Sequence, residues 1–223
     1  MKVNEIFSSI QGEGNHTGLP VLFIRLSGCT RACKFCDTKY HTKGTNMSVK
    51  EVVRRINKSK MNTVVWTGGS PMLQFDEIFE VITKIEKRGK IIQHHLETNG
   101  DILPSHDIFQ YIAFSPKDEK TAQSVTQHVK DLPSFRYDIK VVTNIETINK
   151  RLIKYATMLM PLTILPDDNL VASVYKTDKQ RKQYANMLSS LNNIKVWNYC
   201  IEHRTRFCAR VHVMVWGTKK RGV

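Results

Sequence analysis

A short apolar strand, a polar loop and an amphipathic helix follow one another along this chain, and that order constrains the fold more than any other feature. The unit recurs about every 25–30 residues, the rhythm of parallel β/α units rather than of hairpins. Residues 20–27 (PVLFIRLS) form a nearly all-apolar strand of the kind covered on both faces. Ser48 followed by Glu51 makes a capping box ahead of VKEVVRRINK. Strands are expected at 63–67, 91–97, 111–114, 137–142, 158–165 (broken at Pro161 and Pro166) and 195–199 (KVWNY), and helices at 75–87, 146–155 and 171–192. Residues 118–133 read as a polar loop with room for a short helix, and VHVMVWG near the end alternates weakly. About six strands with too few helices for a closed barrel of about eight units predict an α/β chain folded as an incomplete TIM-like barrel of parallel strands. No Pro/Gly/Ser linker and no internal repeat divides residues 1–223, so one domain is expected.

Four polar motifs stand where strands end: the loop GCTRACKFCDT, then GGSP at 68–71, ETNG at 97–100 and SPK at 115–117. A lone GG or Asn-Gly is an ordinary turn. In open α/β sheets and barrels, however, the site sits at the carboxyl ends of the strands, and four motifs in successive units point to one shared mouth.

Three of the five cysteines, Cys29, Cys33 and Cys36, fall in that first loop with C-x3-C-x2-C spacing; Cys200 and Cys208 are far away. Three thiolates from so tight a loop suit a [4Fe–4S] cube with one iron left open. Structural zinc asks for four ligands, which here requires His41 or a distant cysteine. Cys33 and Cys36 alone also make a redox-type CxxC. The spacing favours iron–sulfur, and Cys200 and Cys208 read as ordinary buried thiols.

The length of 223 residues allows a core that buries roughly 70% of the extended surface. A hydrophobic fraction of 41% and a charged fraction of 24% exclude wholesale disorder. The N-terminal segment lacks a signal-peptide core and no apolar run approaches the roughly 20 residues of a membrane span. A cytoplasmic, reducing location is therefore expected, without membrane insertion. Lys and Arg number 34 against 20 Asp and Glu, a formal charge of +14. The basic residues are scattered and not interleaved with aromatics, which favours a solvated basic face, an anionic substrate or an acidic partner over direct nucleic-acid recognition. A zinc-knuckle nucleic-acid module remains the competing class, and a small radical activase the competing enzyme.

Taken together, EIFSSIQGEG with GLPVLFIRLSGC at 5–29, CKFCDT at 33–38, TGGSP at 67–71, ETNG, SPK and the terminal VHVMVWGTKKRGV resemble the 7-carboxy-7-deazaguanine synthase family of the radical S-adenosylmethionine superfamily. These motifs cover nearly the whole chain. The resemblance implies an incomplete α/β barrel and a lyase that converts 6-carboxy-5,6,7,8-tetrahydropterin to 7-carboxy-7-deazaguanine. Hydrogen is abstracted at C6, the ring contracts and ammonia leaves, on the route to queuosine and related deazapurines.

The same resemblance assigns residues. Cys29, Cys33 and Cys36 hold the [4Fe–4S] cluster. Thr67, Gly68, Gly69, Ser70, Ser115 and Lys117 hold S-adenosylmethionine, with Ser70 where an acidic residue is usual. Gln11, Glu13, Gly14, Arg25, Glu97, Thr98 and His212 bind the pterin. Arg25 suits a carboxylate and Glu13 the guanidine-like ring edge. Read without the family, Arg25 could instead pair a carboxylate inside the barrel, and Glu13 could sit in a surface turn. Thr38 is the matching Mg²⁺ ligand, with Asp37 as the alternative. Before the terminal Trp-Gly the family often carries Gln-x-His-Lys; here Arg210 and Val213 replace the first and last of these around His212. A homodimer and an acidic flavodoxin- or ferredoxin-like electron donor complete what the resemblance implies.

Overall fold

The computed structural model describes residues 1–33, 36, 42–104, 107–218 and 222. The elements are β1 (Lys2–Ile10), β2 (Pro20–Leu26), β3 (Thr45–Asn46), α1 (Val49–Lys58), β4 (Thr63–Gly68), α2 (Phe75–Glu86), β5 (Gln93–Thr98), β6 (Tyr111–Phe114), α3 (Glu119–Val129), β7 (Tyr137–Thr143), β8 (Met158–Pro161), α4 (Asn169–Val174), α5 (Asp178–Glu202), β9 (Arg206–Phe207) and α6 (Val211–Trp216). Nine strands form one sheet in the order β3-β1-β2-β4-β5-β6-β7-β8-β9. From β2 to β9 every pairing is parallel. The order is linear among the described residues, so the barrel is incomplete, as the strand count implies. β1 pairs antiparallel with β2, and the two-residue β3 pairs antiparallel with β1 at the edge.

The period of two along each strand separates two environments. Leu22, Ile24, Leu26, Val64, Trp66, Leu96 and Phe114 pack with Val52, Val53 and Ile56 of α1, Ile78, Val81, Ile82 and Ile85 of α2, and Val125 and Val129 of α3. The alternate residues of the same strands point the other way. Some are apolar, such as Val21, Phe23 and Val65 in a separate cluster. Others are polar: Arg25, Thr67, His95, Glu97 and Tyr111, joined by Asp138 and Lys140 of β7. A strand interior so rich in polar groups lines a site rather than a core.

Loop 11–19 enters that interior. Gln11 N donates to Leu19 O at 2.8 Å and Gly18 N to Gln11 O at 2.8 Å, closing the loop on itself. Its far side is anchored on the fully buried Asp138, whose carboxylate accepts from Tyr111, Arg206, Thr157 Oγ1 (3.1 Å) and Asn15 N (3.4 Å). The His16 ring rests against His95 and Tyr111, each with centroids 4.4 Å apart. Glu13 is thereby held inside the barrel, not in a surface turn.

Several sequence expectations are corrected. Residues 195–199 form no strand: KVWNY continues α5 without a break, because Val196 and Cys200 are one turn apart and pack with Leu159 of β8. The strand that pairs with β8 on the side away from β7 is instead β9. The presumed loop at 118–133 contains α3, capped by Asp118 accepting from Thr121 N at 2.8 Å, with Ala122, Val125 and Val129 buried. Residues 146–155 give only a 3-10 helix at Lys150–Tyr155, and the expected helix at 171–192 is two, α4 and α5. The strand at 158–165 stops at Pro161, where a break was expected, whereas the weak alternation in VHVMVWG belongs to the short helix α6.

Candidate functional site

A cavity of about 310 Å³ opens at the carboxyl ends of the strands. Loop 11–19 contributes Gln11 and Glu13, and β2 contributes Arg25. The cysteine loop contributes Cys29, Arg31, Cys33 and Cys36. The ends of β4, β5 and β6 supply Thr67, Gly68, Gly69, Glu97, Thr98, Asn99, Ser115 and Lys117. Lys140, Arg210 and His212 close the far wall. The four strand-end motifs thus share one mouth. Two sequence candidates stand behind the wall. Ser70 is fully buried, with its N donating to Gly28 O at 2.8 Å. Gly14 has φ +75°, and its N donates to Cys208 Sγ at 3.2 Å. Thr38, Asp37 and His41 lie outside the described residues.

The two glycines of TGGSP are demanded by close approach. A Cβ at Gly68 would lie 2.2 Å from Leu26 O, and one at Gly69 would lie 2.0 Å from Gly28 O and 3.0 Å from Cys29 Cβ. The end of β4 is therefore pressed against the start of the cysteine loop, which only glycine permits. Cys29, Cys33 and Cys36 are half-buried, with Cys36 N donating to Cys33 O at 3.2 Å. Three soft thiol donors on one cavity wall suit an iron–sulfur centre. No three His, Cys, Asp or Glu side chains among the described residues are gathered around a point where a single metal ion could sit.

Another part of the cavity lining is a charge network. Glu13 offers one carboxylate oxygen to Lys140 and the other to Arg210 Nε at 3.0 Å, with His212 Nε2 3.9 Å from the latter oxygen. Burial alone would raise the Glu13 carboxyl, but Lys140, Arg210 and His212 outweigh it and hold it well below the usual carboxylate range. Burial likewise disfavours the Lys140 ammonium, yet Glu13, Glu97 and Cys208 keep it charged and raise it above an ordinary lysine. Glu97 accepts from Gln11 Nε2 at 3.0 Å and from Thr67 Oγ1 at 2.8 Å, so the ends of β4 and β5 and the inserted loop share one carboxylate. Arg25 pairs its Nε with Glu5 at 2.7 Å, lies 5.7 Å from the Phe7 centroid, and still lines the cavity. Among the described residues five basic side chains line this space against two carboxylates, so it favours an anion.

Lys140 and Arg31 were not singled out from the sequence. Lys140 carried a signal, since a lysine at an inward position within the apolar strand YDIKVVT must have a buried counter-charge. Arg31 carried none, because its partners are far along the chain.

Comparison with known proteins agrees with this geometry. The model of the Radical SAM superfamily matches residues 23–161. The 7-carboxy-7-deazaguanine synthase of Bacteroides thetaiotaomicron is 43% identical over 116 residues, 52% of this chain and 60% of that protein. The 7-carboxy-7-deazaguanine synthase of Methanospirillum hungatei is 33% identical over 187 residues, 81% of this chain and 76% of that protein. The crystal structure of QueE from Escherichia coli superposes with a TM-score of 0.59 over 95% of this chain and 94% of that one, at 22% identity, which speaks for the fold. With a cavity that joins three loop thiols to glycine-rich strand ends, the chain belongs to the radical SAM superfamily and, within it, to the 7-carboxy-7-deazaguanine synthase family.

Proposed function

We propose that residues 1–223 form a single radical SAM core, with short extensions at both ends, that converts 6-carboxy-5,6,7,8-tetrahydropterin to 7-carboxy-7-deazaguanine and ammonia. The substrate less ammonia has the composition of the product, so the reaction is redox-neutral overall. The observation that carries this reading is the shared cavity: Cys29, Cys33 and Cys36 on one wall, and Gln11, Glu13, Arg25 and Lys140 on the other.

Cys29, Cys33 and Cys36 would hold a [4Fe–4S] cluster, which together with S-adenosylmethionine supplies the hydrogen-abstracting radical. Thr67, Gly68, Gly69, Ser115 and Lys117 would seat the cofactor at the ends of β4 and β6, with Ser70 buttressing them from behind through Gly28. Arg25 and the surrounding cations draw in and orient the substrate carboxylate. Glu13 stays ionised and keeps lone pairs beyond those given to Lys140 and Arg210, so it can accept N–H bonds from the pterin edge. Glu97 fixes the Gln11 amide beside it, Thr98 flanks Glu97, and His212 reaches in from the start of α6. The inward faces of Phe23 and Val65 keep water from the floor. A Mg²⁺ ion at Thr38 is part of the proposal and rests on the family resemblance.

The partners belong to the same proposal. Along α5, Met187, Leu191, Ile194, Trp197 and Ile201 are 46–67% exposed and share one face, opposite the buried Ala185, Val196 and Cys200. A helix apolar on two opposite faces leaves one to be covered. A second copy fits it: antiparallel pairing about Ile194 sets Met187 against Ile201 and Leu191 against Trp197 and opposes the helix dipoles. The electron donor would be an acidic protein drawn to the net charge of +14. No helix among the described residues is long and apolar enough to cross a membrane.

The test is anaerobic reconstitution followed by incubation with S-adenosylmethionine, a reductant, Mg²⁺ and the carboxytetrahydropterin. Mass-spectrometric detection of 7-carboxy-7-deazaguanine supports the reading, and cofactor cleavage without that product rejects it.

A further inference from the structure

Between Cys29 and Cys33, Arg31 reaches out of the cysteine loop to two other loops at once. Its Nε donates to Asp101 Oδ2 at 2.7 Å, and its Nη2 bonds the other oxygen of the same carboxylate and Thr121 Oγ1 at 3.0 Å. Its Nη1 lies 2.5 Å from Asp118 Oδ2. The preceding residue repeats the tie: Thr30 Oγ1 donates to Asp101 Oδ2 at 2.6 Å and accepts from Asn99 Nδ2 at 2.8 Å. Asp101 directly follows ETNG at the end of β5, and Asp118 directly follows SPK after β6. Asn99 and Lys117, within two residues of these carboxylates, line the cavity.

An exposed ion pair between long side chains adds little. This one differs in three respects. The Arg–Asp101 pair is forked, which fixes orientation as well as distance. The Asp101 side chain is only 14% exposed. One guanidinium also bridges two carboxylates from different strand ends, and Asp118 is itself fixed as the cap of α3. The third position of a three-cysteine loop is thus bolted to the two loops that follow β5 and β6, each of which lends a residue to the cavity lining.

We propose that Arg31 is a positioning residue that sets the cysteine loop in register with the ends of β5 and β6, and so fixes where the cluster meets S-adenosylmethionine. The inference rests on the proposed radical chemistry, but it concerns a contact outside the thiols and the glycine pair.

The test compares Arg31→Gln, Arg31→Lys and Asp101→Asn with the unsubstituted protein. It reads iron per chain after anaerobic reconstitution, the electron paramagnetic resonance spectrum of the reduced cluster with and without S-adenosylmethionine, and the KM for each substrate. Arg31→Gln is expected to keep its iron, because the thiols are untouched, and to keep the pterin KM within about twofold. Its KM for S-adenosylmethionine should rise about tenfold or more, and the spectral change on adding the cofactor should weaken in parallel. Asp101→Asn should move the same two quantities in the same direction, and Arg31→Lys should recover part of both. If Arg31→Gln fails to load iron, Asp101→Asn, which leaves the cysteine loop unaltered, decides the matter by the same readouts. Cofactor KM and spectral change within twofold of the unsubstituted protein in both Arg31→Gln and Asp101→Asn would overturn the proposal. Failure of the unsubstituted protein to make the deazaguanine is a separate result, because cofactor cleavage and the spectra are read without the pterin.

Discussion

Replacing Lys140 by methionine keeps the length and bulk of the side chain and removes its charge. The Lys140 side chain is 7% exposed and that of Glu13 13%, so the pair is buried and solvent screening is slight. Deleting one partner of a buried pair costs about 3–5 kcal/mol, because the other charge is left without compensation. Arg210 still engages Glu13 at 3.0 Å, which argues for the lower end, about 3 kcal/mol. For a domain of this size each kcal/mol moves the melting temperature by about 2–4 °C, so Lys140→Met should melt about 6–12 °C lower at pH 7. Glu13 has a lowered folded-state pKa, so its contribution is present above the unfolded value of 4.5 and lost as pH falls through the folded one. In Lys140→Met the carboxyl loses the strongest charge opposing its burial, so it protonates sooner on acidification. The deficit should therefore narrow below about pH 4.5. Adding Glu13→Gln to Lys140→Met should cost less than the sum of the two single changes. Thermal scans of the three variants and the unsubstituted protein between pH 4 and 7 measure all of this. A shift under about 2 °C at pH 7, or additive single effects, would refute the claim that these two charges depend on each other.

Three further outcomes are expected. Gly69→Ala, whose new methyl would lie 2.0 Å from Gly28 O, should displace the cysteine loop and lower the iron bound per chain, whereas Gly89→Ala, which meets nothing within 4 Å, should not. Burial pulls His94 and His95 down to about 4, so the unfolded chain takes up their protons first as pH falls; stability should decline from about pH 6.5 toward 4, and His94→Asn with His95→Asn should flatten that slope in melting scans. Ile194→Arg should turn a dimer into a monomer in sedimentation experiments while leaving cofactor cleavage intact; a dimer that survives it places the interface elsewhere.

Much of the barrel was legible in the sequence, because parallel strands covered on both faces read as apolar runs, as PVLFIRLS and TVVWT do. The site was legible wherever its chemistry was local: three cysteines in one loop, and two glycines where β4 meets Gly28. What escaped depended on distant partners. KVWNY has the composition of a strand, yet it continues a helix because Val196 and Cys200 must face β8. The helix α3 was only faintly marked, because small and β-branched residues, Ala122, Val125 and Val129, make up its buried stripe. The antiparallel β1 interleaves polar residues irregularly and takes its order from pairing with β2. Arg25 was expected to serve a substrate carboxylate, and nothing in FIRLSGC announces that Glu5 pairs with it across the β1–β2 ladder. The Arg31 clamp joins residues 70 or more apart, and no spacing within the cysteine loop could reveal it.

The central claim is that the thiol wall and the Glu13–Arg25 wall act on one substrate in one cavity. The most direct measurement uses carboxytetrahydropterin deuterated at C6, incubated anaerobically with the reconstituted protein, S-adenosylmethionine, Mg²⁺ and a reductant. The account predicts 7-carboxy-7-deazaguanine together with deuterium at the 5′ carbon of the adenosyl group. Deazaguanine formed with no deuterium at that carbon, or adenosyl cleavage with the pterin left intact, would contradict it.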